Sequence, residues 1–137
     1  MIKIPLAVIA DSANVSREGK LNILGIFQNI GASTVPATHP QISLVLTFQG
    51  ERGDANSDHP IKIQMVNADG EVMINIEASL RFNMPPVGEY SVLAHQIFQF
   101  ANITFTRFGT YDLNIFINNE VRKTVSLNVM EVKPPAG

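Results

Sequence analysis

The run Tyr111-Asp112-Leu113-Asn114-Ile115-Phe116-Ile117-Asn118, with Thr124-Val125-Ser126-Leu127-Asn128-Val129 after a polar turn, alternates apolar and polar side chains with one exception. A period of two is the mark of strands with one face on a core and the other on solvent. The two runs read as an antiparallel hairpin. A two-residue Asn118-Asn119 turn would set Leu113 opposite Thr124 and throw the apolar sets onto opposite faces. The expected loop is therefore Asn118 to Glu120, with Leu113 meeting Val125; the alternative is a bulge near Arg122-Lys123. The exception is Phe116, an aromatic ring on the polar parity.

Outward from this hairpin the theme repeats. Segments at Ile2–Ala13, Lys20–Ile30, Gln41–Gln49, Ile61–Val66, Glu71–Leu80 and Tyr90–Phe105 are separated by Gly, Pro and Asn turn chemistry. Lys20–Ile30 is apolar on both parities, which predicts a central, doubly buried strand. Gln41–Gln49 puts Ile42, Leu44, Leu46 and Phe48 on one face. A four-residue turn at Asn67–Gly70 would pair Val66 with Glu71, Met65 with Val72, Ile63 with Ile74 and Ile61 with Ile76. In Tyr90–Phe105 the apolar parity switches from Phe98 and Phe100 to Ile103 and Phe105, which predicts a bulge near Ala101-Asn102. No stretch carries helical periodicity. The expectation is an all-β chain, an antiparallel β-sandwich of about eight strands, immunoglobulin-like in the loose sense. Residues 1–132 form one domain and 133–137 a flexible tail.

Composition narrows the function classes. The chain has 137 residues, enough to bury roughly two thirds of its unfolded surface. Its 45% apolar and 16% charged residues exclude a disordered chain. A net charge of −2 with scattered Lys and Arg argues against nucleic acid and anionic membrane partners. No apolar run reaches the roughly 18 residues of a spanning helix. Lys3 followed by Ile4–Ala10 is a faint copy of a signal peptide, but the apolar run is short and Asp11 follows at once; a first strand is the expectation. Cysteine is absent, which excludes disulfides, zinc thiolates and thiol nucleophiles and suits a cytoplasmic setting.

Chemical motifs are scarce. His39, His59 and His95 lie in separate segments without ligand spacing. Asp54, Asp58 and His59 share one loop, so they and His39 are the candidate loop site, although polar residues belong in such a loop by default. No nucleophile elbow or phosphate loop is present, Arg52-Gly53-Asp54 reads as a chance tripeptide, and no catalytic residue, metal or cofactor is expected. What stands above background is apolar residues on faces that should be wet: Ile9, Val45, Met73 and Phe116 are out of phase with their own core sets. They are the candidate interface, either covered within the chain or forming one patch for a homodimer or another protein partner.

Ala10-Asp11-Ser12-Ala13-Asn14-Val15, Gly19-Lys20-Leu21-Asn22-Ile23-Leu24-Gly25-Ile26-Phe27 and Pro36-Ala37-Thr38-His39-Pro40 resemble the start of a family of small bacterial β-sandwich proteins, a domain-of-unknown-function family. The Asp69-Gly70 turn and the Phe108-Gly109-Thr110-Tyr111 approach to the last hairpin extend the likeness over nearly the whole chain. The resemblance implies a bacterial source and a β-sandwich, and no activity, cofactor or substrate. The function expected is a non-catalytic interaction or assembly module working through a sheet face. The alternative is a small-ligand or carbohydrate binder using the loops at 31–40, 50–60 and 82–89, with an enzyme third.

Overall fold

The computed structural model describes residues 1–133; the rest of the expected tail, 134–137, lies outside the described residues. Among the described residues nine strands form two sheets: β1 (Lys3–Val15), β2 (Leu21–Ile26), β3 (Asn29–Ala32), β4 (Ala37–Glu51), β5 (Asp58–Val66), β6 (Val72–Arg81), β7 (Ser91–Phe105), β8 (Gly109–Ile117) and β9 (Glu120–Glu131). The four-stranded sheet has the order β2-β1-β4-β7 and the five-stranded sheet β3-β9-β8-β5-β6. All pairings are antiparallel except β3 with β9. This is an immunoglobulin-like sandwich in architecture. Its core forms where Ile42, Leu44, Leu46 and Phe48 of β4 meet Ile61, Ile63 and Met65 of β5 and Leu113 and Ile115 of β8, all buried. Each such side chain contributes about 1.5–3 kcal/mol on burial.

The fold bears another mark of that architecture. The Tyr111 hydroxyl near the start of β8 donates to the Arg107 carbonyl at 2.7 Å and accepts from the Arg107 N–H at 3.3 Å. A tyrosine reaching back over the connection into its own strand in this way is a tyrosine corner. The phenol satisfies backbone groups that the turn at 106–108 leaves without ladder partners.

Four local expectations are corrected. First, Lys20–Ile30 is not one central strand. The chain changes sheets within it: the Phe27 N–H bonds Ile9 O in the first sheet, and Gln28 O accepts from Asn128 N in the second, both at 2.9 Å. β2 is an edge strand with Leu24 70% and Ile26 58% exposed. Apolar residues on both parities reflect this change of sheet and an apolar outer face, not double burial.

Second, β5 and β6 pair Met65 with Ile74, Ile63 with Ile76 and Ile61 with Ala78, two residues from the expected register. Asn67 joins Glu71 through its N–H at 3.0 Å, which shifts the register by one, and a bulge at Met73 shifts it by one more. Two single shifts restore the face, so the same apolar parity still meets the core. Third, β4 and β7 keep one offset from Ala37 opposite Phe105 to Glu51 opposite Ser91, so no one-strand bulge lies at Ala101-Asn102. Both strands change face together there, with Asn102 at φ 51° opposite Pro40, whose ring lacks the ladder N–H. His39-Pro40 thus lies inside β4 rather than in a loop.

Fourth, the last hairpin has Leu113 opposite Val125 as expected, but by the other route. Asn118 and Asn119 make a two-residue turn with φ 51° and 66°, and the register slips between Ile115 and Phe116. Positive φ at both central residues matches the twist of a hairpin, and asparagine tolerates it better than most residues. The extra residue is Arg122, whose guanidinium donates to Ile2 O at 2.7 Å and ties the hairpin to the start of β1.

Candidate interaction surface

The four loop candidates do not converge. His39 sits near the start of β4 and packs its ring on Phe27, 5.8 Å between centroids. Asp54 lies in the short 3₁₀ turn Arg52–Asp54 beyond the other end of β4, roughly 40 Å away along an extended chain. Asp54 accepts from the Glu51 N–H at 2.8 Å, and Asp58 pairs with Arg81 at 3.1 Å. The His59 ring bonds Asp54 O through Nε2 at 2.7 Å and lies edge-on to Phe82. These groups are engaged in holding the loop, and among the described residues no cluster of three or more His, Asp or Glu could hold a metal.

The four apolar outliers also fail to form one patch. Ile9 is 1% exposed and faces the core opposite Leu44; the bulged start of β1 shifted its apparent parity. Met73 is the bulged residue of β6, half-buried against the core. Phe116 is half-buried on the outside of the five-stranded sheet, with the Lys62 ammonium 4.4 Å from its ring centroid, a cation–π contact within the chain. Val45 alone lies on the outer side of the four-stranded sheet, and there it has company.

Residues paired across a sheet share a face. Val45 is flanked by Val8 of β1 and Ile97 of β7, Ser43 by Ala10 and Gln99, and Thr47 by Leu6 and His95. β2 adds Ile26 beside Ala10 and Leu24 beside Ser12, and β7 adds Leu93, 56% exposed. None of these is Asp, Glu, Lys or Arg, in a chain with 12 acidic and 10 basic residues; Lys3, opposite Gln49, and Glu51, opposite Ser91, lie on the same face at one end of the sheet. The opposite face of the molecule is different in kind. There Lys62 stands opposite Glu77, and Gln64–Asn75, Asn114–Thr124, Asp112–Ser126 and Thr110–Asn128 form a ladder of side-chain hydrogen bonds of 2.7–3.1 Å. One face is dressed for water and the other is not.

This apolar face is a trough. Cα atoms of β1 and β7 come within 8 Å across β4, although two strand spacings span about 9.6 Å. The sheet is therefore curled, and Ala10, Ser43 and Val45 on its floor have no solvent exposure although no strand packs over them. Ser43 Oγ has no hydrogen-bond partner among the described residues. The Thr47 hydroxyl shares a hydrogen bond of 2.9 Å with Nδ1 of His95. Leu6, Val8, Leu24, Ile26, Leu93 and Ile97 were missed as surface residues. The usable signal was the apolar run Ile4–Ala10 and the outlier Val45, taken together on adjacent strands.

Two of the three candidate loops meet: Arg52 donates to Pro86 O at 2.8 Å, and Ala55 bridges to Phe82. Beside them lies a cavity of about 490 Å³ lined by residues that include Lys3, Glu51, Arg52 and Tyr90, the last 86% exposed. The loop at 31–40 is at the other end of β4 and takes no part. Among the described residues no helix is long and apolar enough to cross a membrane.

The chain belongs to a family of unknown function (DUF6941), whose model matches residues 5–130. Curated proteins supply no match. Among solved structures it is similar to a β-glucosidase from Listeria innocua, with a TM-score of 0.50, 7% identity and coverage of 97% of this chain and 16% of that one. It is also similar to an alkylpurine DNA glycosylase of Pseudomonas fluorescens bound to DNA with an abasic site analogue (TM-score 0.46, 11% identity, 93% and 30%). An immunoglobulin-like protein of Pseudomonas aeruginosa matches over 95% of this chain and 97% of its own, with a TM-score of 0.41 and 16% identity. The chain thus spans less than a third of either enzyme. At these identities the likeness is one of fold, which many functions share.

Proposed function

We propose that this chain is a non-catalytic assembly module that docks a second copy of itself through the outer face of the four-stranded sheet. The observation that carries the reading is how little charge the face holds: Val8, Ile26, Val45, Leu93 and Ile97 share it with His95, and its charged residues, Lys3 opposite Gln49 and Glu51 opposite Ser91, stand at one end. A two-fold interface brings a surface against itself, so any unbalanced charge on it meets its like; a face with so little charge avoids most of that repulsion. Four strands about 4.8 Å apart over some ten residues present roughly 650 Å², close to the roughly 800 Å² per partner of a standard interface. Because Ala10, Ser43 and Val45 on the floor have no exposure, the contact would be made by the exposed Leu24, Ile26 and Leu93. The test is light scattering on the full chain. A particle larger than one chain is expected, and Leu24→Lys/Ile26→Lys, which charges two exposed positions, should reduce its mass. A wild-type chain monomeric at hundreds of micromolar sinks the proposal.

A second reading draws on the cavity beside Arg52 and Tyr90, where an exposed aromatic ring adjoins Lys3 and Arg52. That pairing suits a small anionic ligand or an acidic sugar. Titration with such compounds should move amide NMR signals of 49–53 and 90–91; no movement at millimolar concentration removes it. A bacterial cytoplasm is the setting that goes with either reading, since a cysteine-free chain requires no oxidising compartment. Cell fractionation that finds the native protein outside the cytoplasm overturns that part.

A further inference from the structure

A sheet must end somewhere, and an edge strand exposes a row of N–H and C=O groups to which another strand can add. This sandwich has four edges: β2 and β7 in one sheet, β3 and β6 in the other. Three are blunted. β2 has six residues and turns left-handed at Gly25, φ +73°. β3 has four residues. β6 carries Glu77 and Arg81 and is bulged at Met73. β7 is the exception: its fifteen residues contain no Asp, Glu, Lys, Arg, Pro or Gly. Among the described residues its only ladder partner is β4, and no loop backbone bonds to it.

We infer that β7 is a pairing edge whose occupant is β7 of a second copy, antiparallel across a two-fold axis. This goes beyond the face proposed above and uses a different surface. The left-handed Asn102, φ 51°, ends the straight run, leaving Ser91–Ala101 with its midpoint at Gln96. Pairing centred there uses the whole run. On one face it sets Ala94 of each copy opposite Phe98 of the other, and Val92 opposite Phe100. Val92 against Phe100 is an aromatic–β-branched pair, one of the kinds that stabilise cross-strand contacts. Moving the centre to Phe98 would pair only His95–Ala101 of the run, leaving Ser91–Ala94 unpaired. No charge opposes its like anywhere along the run.

Edge and face separate cleanly in one set of light-scattering measurements. If both surfaces operate, the wild type is a tetramer, Leu24→Lys/Ile26→Lys stops at a dimer, and Gln96→Lys, which places two ammonium groups at the centre of the strand pair, also stops at a dimer. A Leu24→Lys/Ile26→Lys variant that is folded by circular dichroism and monomeric overturns the edge pairing, even if the wild type is a dimer through the face. A wild-type dimer that survives Leu24→Lys/Ile26→Lys but dissociates with Gln96→Lys supports the edge and removes the face reading. A monomeric wild type removes both. The register has its own test, because the chain has no cysteine. Antiparallel partners stand roughly 4.5–5.5 Å apart at Cα, within disulfide reach. Gln96→Cys should therefore cross-link on mild oxidation, several-fold more than Leu93→Cys or Gln99→Cys. Equal yields at the three positions overturn the register.

Discussion

Replacing Gly50 by alanine should destabilise the protein, against the usual effect of that substitution. Gly50 lies in β4 opposite Val92 with no left-handed backbone requirement. In such a conformation Gly→Ala commonly stabilises by about 0.4–1 kcal/mol, because the unfolded chain loses freedom. Here a Cβ would stand 2.8–2.9 Å from Cδ2, Cε2 and Cγ of Phe82. That ring is 1% exposed. The residue is held by the Asn56 N–H to its carbonyl at 3.0 Å and by the edge of His59 at 6.0 Å, so the ring has little room to retreat. Overpacking of this kind costs about 1–3 kcal/mol, and the net loss should be about 1–2 kcal/mol. Urea denaturation should show a lower midpoint with unchanged slope. The sharper check is the cycle with Phe82→Leu, which shortens the ring away from Gly50. In that background Gly50→Ala should turn neutral or stabilising, giving a coupling of about 1–3 kcal/mol. A stabilising Gly50→Ala in the presence of Phe82, or effects that add within about 0.5 kcal/mol, would refute the packing argument.

Other perturbations have equally definite outcomes. Ser43→Ala removes a buried hydroxyl that has no partner among the described residues; stability should stay level or rise by about 1 kcal/mol, and a comparable loss in denaturation would mean that the hydroxyl is bonded. Tyr111→Phe strips the corner of both hydrogen bonds to Arg107 and should cost about 1–2 kcal/mol by the same measurement. Asn119→Val forces a β-branched residue to φ 66° and should lower the unfolding free energy by about 1–2 kcal/mol in the same denaturation, whereas Asn119→Gly should be tolerated. Because His39 and the Asp54–His59 loop lie at opposite ends of β4, a tenfold excess of zinc should move the thermal midpoint by less than about 1 °C.

What could be read in advance was whatever depends on parity. Leu113, Ile115, Leu127 and Val129 point to the core because alternation alone decides it, and two one-residue slips between β5 and β6 left the same face inward. What could not be read was anything that depends on counting partners. Val45 and Ile9 looked alike as outliers, yet one lies on the outer trough and the other in the core. The difference is a register slip near Leu6, which leaves no mark in composition. The change of sheet at Phe27-Gln28 was invisible for the same reason: a strand that crosses between layers and one buried on both faces are equally apolar. Turn chemistry alone could not choose between a three-residue loop and an Asn-Asn turn with a bulge. What decides it is Arg122, which as the extra residue reaches Ile2 O, 120 positions away in sequence.

The pattern of charge is the more informative omission. Cross-strand pairs on the five-stranded sheet are hydrogen-bonded polar residues, and its edge strand β6 carries Glu77 and Arg81. Devices against unwanted association therefore cover the five-stranded sheet and the β2 edge but not β7. The other sheet confines the charges on its outer face to Lys3 and Glu51 at one end and has no breakers along β7. A two-fold edge pair would place the apolar faces of both copies on the same side of one continuous eight-stranded sheet, doubling the roughly 650 Å² face without covering any of it. Edge and face thus reinforce rather than compete. If β7 pairs first, the face that stacks is twice as wide, and charging Leu24 and Ile26 should weaken the tetramer while leaving the strand-paired dimer intact.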